Sequence, residues 1–206
     1  MKKIMFNNRY GLTQAVLDLL KTMTRRIISE KEWDKIRKFK EEYYEQTFDR
    51  LEDKELIKTY FDTYPERMPY QVGEVVAIAQ KYSEIGIEPF PFCKAGWNNK
   101  MFVRADLMPH HIHMTDFKVE QLQDISDEDC LKEGVETVES YAIKADGTRK
   151  TLNYYRFTYK CKSERVLTLS GSTPKEVYHT LIDRIYGKST WQSNPWMLAY
   201  EFELVK

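Results

Sequence analysis

The chain has 206 residues, and its 32 lysines and arginines balance 32 aspartates and glutamates, so the net charge is zero. That balance excludes a protein that coats nucleic acid non-specifically, because such binding neutralises many phosphates at once; only a local basic groove remains open. Three scattered cysteines, Cys93, Cys130 and Cys161, exclude a disulfide framework and offer no zinc or redox spacing, which points to a reducing, cytoplasmic setting.

The apolar run after Lys2 and Lys3 stops at Asn7, too short for a signal peptide, and no later segment approaches a membrane span. The length suits a single domain over 1–206, with a charged helical insertion at about 29–67. In chain order, Ile4 to Phe6 starts a short strand. Thr13 to Leu20 then reads as a short amphipathic helix with Ala15, Val16, Leu19 and Leu20 on its apolar side.

The segment Lys21–Thr22–Met23–Thr24–Arg25–Arg26 follows, and it is the densest chemistry in the chain. Its alternation is that of a strand, so Thr22, Thr24 and Arg26 share one face. Such a face can hold an anion or a polar heterocycle, since arginine offers a planar donor fork and lysine a mobile charge. A desolvated Lys21 would lose its proton and serve as a base on a threonine hydroxyl. The plainer alternative is a basic edge strand whose charges sit in water.

Across 29–67, Trp33, Ile36, Phe39, Tyr43, Tyr44, Phe48 and Leu51 recur every three or four positions among mixed charges. This predicts one or two helices packed through an aromatic stripe and closed by Pro65 and Pro69. Val72–Gly73–Glu74 is a turn, and Val75 to Ala79 a buried strand. Residues 84–99 read as a loop over a pocket, with Trp97 as a stacking platform. Met101 to Ala105 and Ile112 to Val119 are further strands.

Ser126 opens a short helix as its cap, with Asp129 reaching back and Gly134 supplying the stop. Glu133 then lies at the helix end, where a carboxylate opposes the dipole and invites a functional reading. Residues 135–170 form one or two irregular strands turning at Asp146–Gly147. Thr173–Pro174–Lys175–Glu176 starts a helix that turns Val177, Leu181, Ile182 and Ile185 inward and ends at Gly187. Trp196 to Val205 is a closing strand. Together these make an α+β domain, a small barrel with helices at its ends. His110, His111 and His113 are close in sequence but lack a clear carboxylate partner, so no metal and no other cofactor is expected.

In this arrangement the chain resembles the ASCH domain family, whose fold is a PUA-like β-barrel. The resemblance rests on Lys21 to Arg26, similar to the family's Lys-Thr-x-Thr-x-Arg signature, on Tyr70 to Val76 as the entry to the second barrel strand, and on the order of the Ser126–Gly134 helix and the strand through Tyr200–Glu201–Phe202. The signature's usual preceding glycine is Leu19 here, and the 29–67 and 135–170 stretches exceed a minimal member.

The resemblance implies binding of RNA or a modified nucleoside in a pocket lined by Lys21, Thr22, Thr24, Arg26 and Trp97. Some small members hydrolyse the acetyl amide of N4-acetylcytidine with a lysine, a threonine and a glutamate, which fall on Lys21, Thr24 and Glu133. Thr24 would attack as Lys21 takes its proton, Glu133 would protonate the leaving nitrogen, and Arg26 would hold the oxyanion or the ligand. A rival reading keeps the pocket as a pure binding site. It requires Lys21 exposed and charged, whereas a catalytic lysine is buried.

Overall fold

The computed structural model describes residues 1–87, 95–143, 146–160 and 166–205. The elements in chain order are β1 (Lys3–Ile4), α1 (Leu12–Leu17), β2 (Met23–Ile27), α2 (Glu30–Thr47), α3 (Asp53–Thr63), β3 (Val75–Ile78), α4 (Tyr82–Ile85), α5 (Ala95–Asn98) and β4 (His111–Gln121). They continue with α6 (Asp127–Lys132), β5 (Glu136–Ile143), β6 (Arg149–Lys160), β7 (Val166–Gly171), α7 (Pro174–Tyr186), α8 (Thr190–Ser193) and β8 (Trp196–Val205). The result is a mixed α+β fold.

Two sheets organise it. The larger has the order β1-β3-β4-β8-β2, and the smaller is the antiparallel run β5-β6-β7. β8 lies between β4 and the edge strand β2, pairing with β4 from Gln121↔Trp196 to His111↔Val205 and with β2 from Ile27↔Met197 to Met23↔Glu201. A bulge in β4 between Met114 and Asp116 shifts that register by one residue, which changes the face its side chains present. Ile4, Val76, Ile78, Ile112, Met114, Tyr200 and Phe202 fill the core beneath.

The 29–67 block is two helices, as the periodicity requires, and Ser29 caps the first by accepting from the Glu32 amide. Their deepest contacts are Ile36 on α2 and Leu56, Ile57, Tyr60 and Phe61 on α3. Phe48 does not belong to the aromatic stripe. It is the left-handed cap of α2, and its ring is 91% exposed.

Three expectations of local structure are corrected. Met101 to Ala105 is not a strand, because two 3-10 turns, Lys100–Phe102 and Ala105–Leu107, occupy that stretch. The Asn99 side chain caps the first turn by accepting from the Met101 amide, a local bond that a strand would forgo. Asp129 does not reach back to complete a capping box at Ser126; only the Ser126 hydroxyl caps, accepting from the Asp129 amide, and the Asp129 carboxylate is drawn to Arg25 and Lys118.

The third correction concerns Leu19 and Leu20, which leave the helix and point outward, 59% and 47% exposed. α1 ends in a Schellman turn, with the Leu19 amide donating to the Val16 carbonyl at 3.1 Å and the Leu20 amide to the Ala15 carbonyl at 2.9 Å. Leu19 holds the left-handed position at φ 60°, where glycine is least strained. Leu19→Gly is expected to raise stability by about 0.5–1 kcal/mol, because an L side chain in that well costs more than its exposed contacts return. A lower urea midpoint in that variant would show the opposite balance.

Candidate functional site

The turn that ends α1 sets the site, because it carries the Lys21 amide onto the Ala15 carbonyl at 3.0 Å and aims the chain into β2. β2 is an edge strand, yet its charges do not sit in water. Lys21, Thr24 and Arg25 are each 4% exposed or less. Two elements cover them, α6 with its following turn and α7.

Lys21 donates through Nζ to the Glu133 carboxylate and, at 3.4 Å, to the Glu133 carbonyl. Glu133 is the C-cap of α6, against the helix dipole, and cations offset that placement. Its second carboxylate oxygen accepts from Arg25 Nη1 at 2.9 Å. Arg25 also donates through Nε to Glu120 at 2.7 Å and through Nη2 to Asp129 at 2.7 Å. Lys118 completes the set, donating to Asp129 and lying 3.3 Å from Glu120. Lys21, Arg25 and Lys118 thus neutralise Glu120, Asp129 and Glu133, which is what burial of so many charges demands.

Thr24, Arg26, Lys21, Glu133 and Tyr178 line one cavity of about 50 Å³, roofed by Leu181 and Ile182 of α7. Since a single water needs roughly 10–15 Å³ of such space, the cavity holds a few waters or an acyl group of a few heavy atoms, and not a nucleobase. Among the described residues, nothing hydrogen-bonds the hydroxyls of Thr24 or Tyr178. Arg26 donates through Nη2 to the Met5 carbonyl at 2.9 Å, while its buried Nε has no partner among the described residues. Thr24 and Tyr178 therefore bring two hydroxyls with hydrogen-bonding capacity to spare to one small cavity, which the Arg26 side chain also lines.

Electrostatics sharpen their roles. Burial pulls the Lys21 ammonium below its ordinary 10.5, outweighing the upward pull of Glu133. Burial, aided by Glu133, pushes the Tyr178 hydroxyl well above its usual range, so it stays a donor. Cys130 lies nearby but is no nucleophile, since burial pushes its thiol up to about 12.

The structure thus brings together Lys21, Thr24, Arg26 and Glu133. Thr22 precedes the strand, half-buried, with its backbone held by Lys132 and Phe202, and it does not line the cavity. Trp97 sits on α5, 37% exposed, and does not line it either. Of the predicted covering loop, residues 88–94 lie outside the described residues, and its described ends are helical, in α4 and α5. Among the described residues no three His, Cys, Asp or Glu side chains gather as metal ligands, His110, His111 and His113 included, and no helix is long and apolar enough to cross a membrane.

Sequence reasoning missed Arg25, Glu120, Asp129 and Tyr178. The tyrosine was discoverable, because it stands beside Val177 and one turn before Leu181 and Ile182 on the inward side of α7. No family model, no curated protein and no solved structure matches the chain. Its function is therefore read from the site itself.

Proposed function

We propose that the chain is a PUA-like domain of the ASCH kind whose cavity hydrolyses a small acyl amide on a modified nucleoside, of the N4-acetylcytidine class. One observation carries the reading. Lys21 is 3% exposed, has a lowered pKa, and shares a cavity with an unpartnered Thr24 hydroxyl while bonded to Glu133. A lysine that served a phosphate would be exposed and charged.

In this mechanism the acyl group enters the cavity and the nucleoside stays at its mouth. Thr24 Oγ1 attacks the carbonyl carbon as neutral Lys21 takes the hydroxyl proton. The oxyanion accepts from the Tyr178 hydroxyl, with the Arg26 side chain beside it. Collapse breaks the C–N bond, and the proton passes from Lys21 through Glu133 to the leaving nitrogen. Water then hydrolyses the Thr24 ester, releasing the carboxylate.

The test is release of cytidine and acetate from N4-acetylcytidine, followed by mass. Absence of both products at millimolar substrate would remove the hydrolytic reading. Tyr178→Phe is expected to lower kcat by about 10²- to 10³-fold, the usual loss for one oxyanion donor. Its unfolding midpoint should not move, because the hydroxyl it loses has no described partner. The second Glu133 contact, to Arg25, favours one rival: a carboxylate held on both sides is also what a purely structural ion network needs. In that case the pocket binds RNA or a modified base without turnover, and titration would show binding with no product.

A further inference from the structure

The Lys21 cavity is too small for a nucleobase, so a nucleoside whose acyl group enters it leaves its base at the rim. Burial orders the lining residues from floor to rim. Lys21, Thr24, Glu133 and Tyr178 are each 4% exposed or less, whereas Tyr186 is 40% exposed. The rings that line the cavity are Phe6, Tyr178 and Tyr186, and the first two are buried. A base at the opening therefore meets one accessible ring, that of Tyr186.

Tyr186 is held at both ends. Its backbone closes α7, and its hydroxyl donates to the Arg25 carbonyl on β2 at 3.1 Å. The ring thus reaches from the helix to the strand, and it cannot swing away without breaking that bond. An aromatic ring that is uncovered yet fixed makes a ready stacking surface, because little rotamer freedom is left to lose when a ligand covers it.

We propose that Tyr186 stacks on the flat heterocycle of the substrate, so that the site takes acyl amides of planar aromatic amines and discriminates against those of saturated ones. The inference rests on the hydrolytic reading above for the placement of the acyl group, and on Tyr186 for the base. Every nucleobase has a π-face, so stacking selects the class of ring and leaves the choice among bases to polar contacts.

The test is isothermal titration of the full chain carrying Thr24→Ala, which lacks the nucleophile. The probes are N4-acetylcytidine and N-cyclohexylacetamide, a saturated-ring amide with the same acetyl group. N4-acetylcytidine is expected to bind about tenfold more tightly or better, the scale of one base stacked on one aromatic side chain. Tyr186→Leu should abolish that preference by weakening N4-acetylcytidine alone. Tyr186→Phe should keep it, since the ring and not the hydroxyl makes the contact. A tyrosine that only braced α7 against β2 would behave otherwise: Phe would lose affinity with the hydroxyl bond, and Leu would weaken both probes together. Equal binding of the two probes, no heat with N4-acetylcytidine at millimolar concentration, or a preference that survives Tyr186→Leu would each overturn the proposal. Turnover by the unaltered protein whose KM is indifferent to Tyr186→Leu sinks the stacking and leaves hydrolysis standing, while Tyr186-dependent binding without turnover does the reverse.

Discussion

Lys21→Met is expected to lower turnover of N4-acetylcytidine by about 10²- to 10⁴-fold, the range for loss of a positioned general base. Methionine fills the same apolar stem and removes only the amine. Glu133 keeps its bond to Arg25, so the fold should survive and KM should move little. The pH profile gives the independent check. In the proposed mechanism only the neutral amine accepts the Thr24 proton, so kcat/KM in the unaltered protein should rise as pH climbs through the pKa of Lys21, which burial sets below 10.5. Retention of more than about a tenth of the rate in Lys21→Met would move the base elsewhere.

The largest stability effect belongs to Arg25. Its side chain is 0% exposed and touches Glu120, Asp129 and Glu133. Arg25→Met leaves three buried carboxylates to share Lys21 and Lys118, and removal of one partner from such a buried set costs about 3–5 kcal/mol. Urea unfolding at pH 7 reads the loss directly. Its pH dependence follows from Asp129. Burial pushes that carboxyl up, but Lys118 and Arg25 together hold it below its ordinary 3.8.

A carboxylate with a depressed native pKa contributes stability above its unfolded pKa and loses it as pH falls through the native value. The unaltered protein should therefore weaken in acid below about pH 4 through this group. Arg25→Met has less to lose, so the gap between the two proteins should narrow on acidification. A gap that stays constant from pH 7 to well below pH 4 would mean that the network is not what Arg25 supports.

Elements with local signals were legible. Thr173 caps α7 through the Glu176 amide, Ser126 caps α6, and β8 runs from Trp196 to Val205, although Met197 to Tyr200 are buried in succession rather than in alternation. Met101 to Ala105 was misread because apolar residues in a row suit a strand or two tight turns equally. Leu19 was misread because a Schellman turn at a leucine carries no glycine to announce it. Within the site, the alternation placed Thr24 and Arg26 together correctly. It gave no hint that Arg25, on the opposite face, is buried too. A strand's pattern shows which residues share a side, not whether a second layer covers the other side, and here that layer arrives from Glu120, Asp129 and Glu133, 95 to 108 residues later.

The position of β8 between β4 and β2 has a consequence for biosynthesis. Among the described residues β2 has β8 as its sole strand neighbour in the larger sheet, with Thr24 opposite Tyr200 and Arg25 opposite Ala199. A nascent chain that has emerged only as far as α8 can form its helices and the β5-β6-β7 sheet, but Lys21, Thr24 and Arg25 still lie on an unpaired strand. Synthesis proceeds at about 5–20 residues per second, so that strand waits for seconds until β8 emerges. The candidate site would then be assembled only when the ribosome delivers β8, which locks the early charged segment into place.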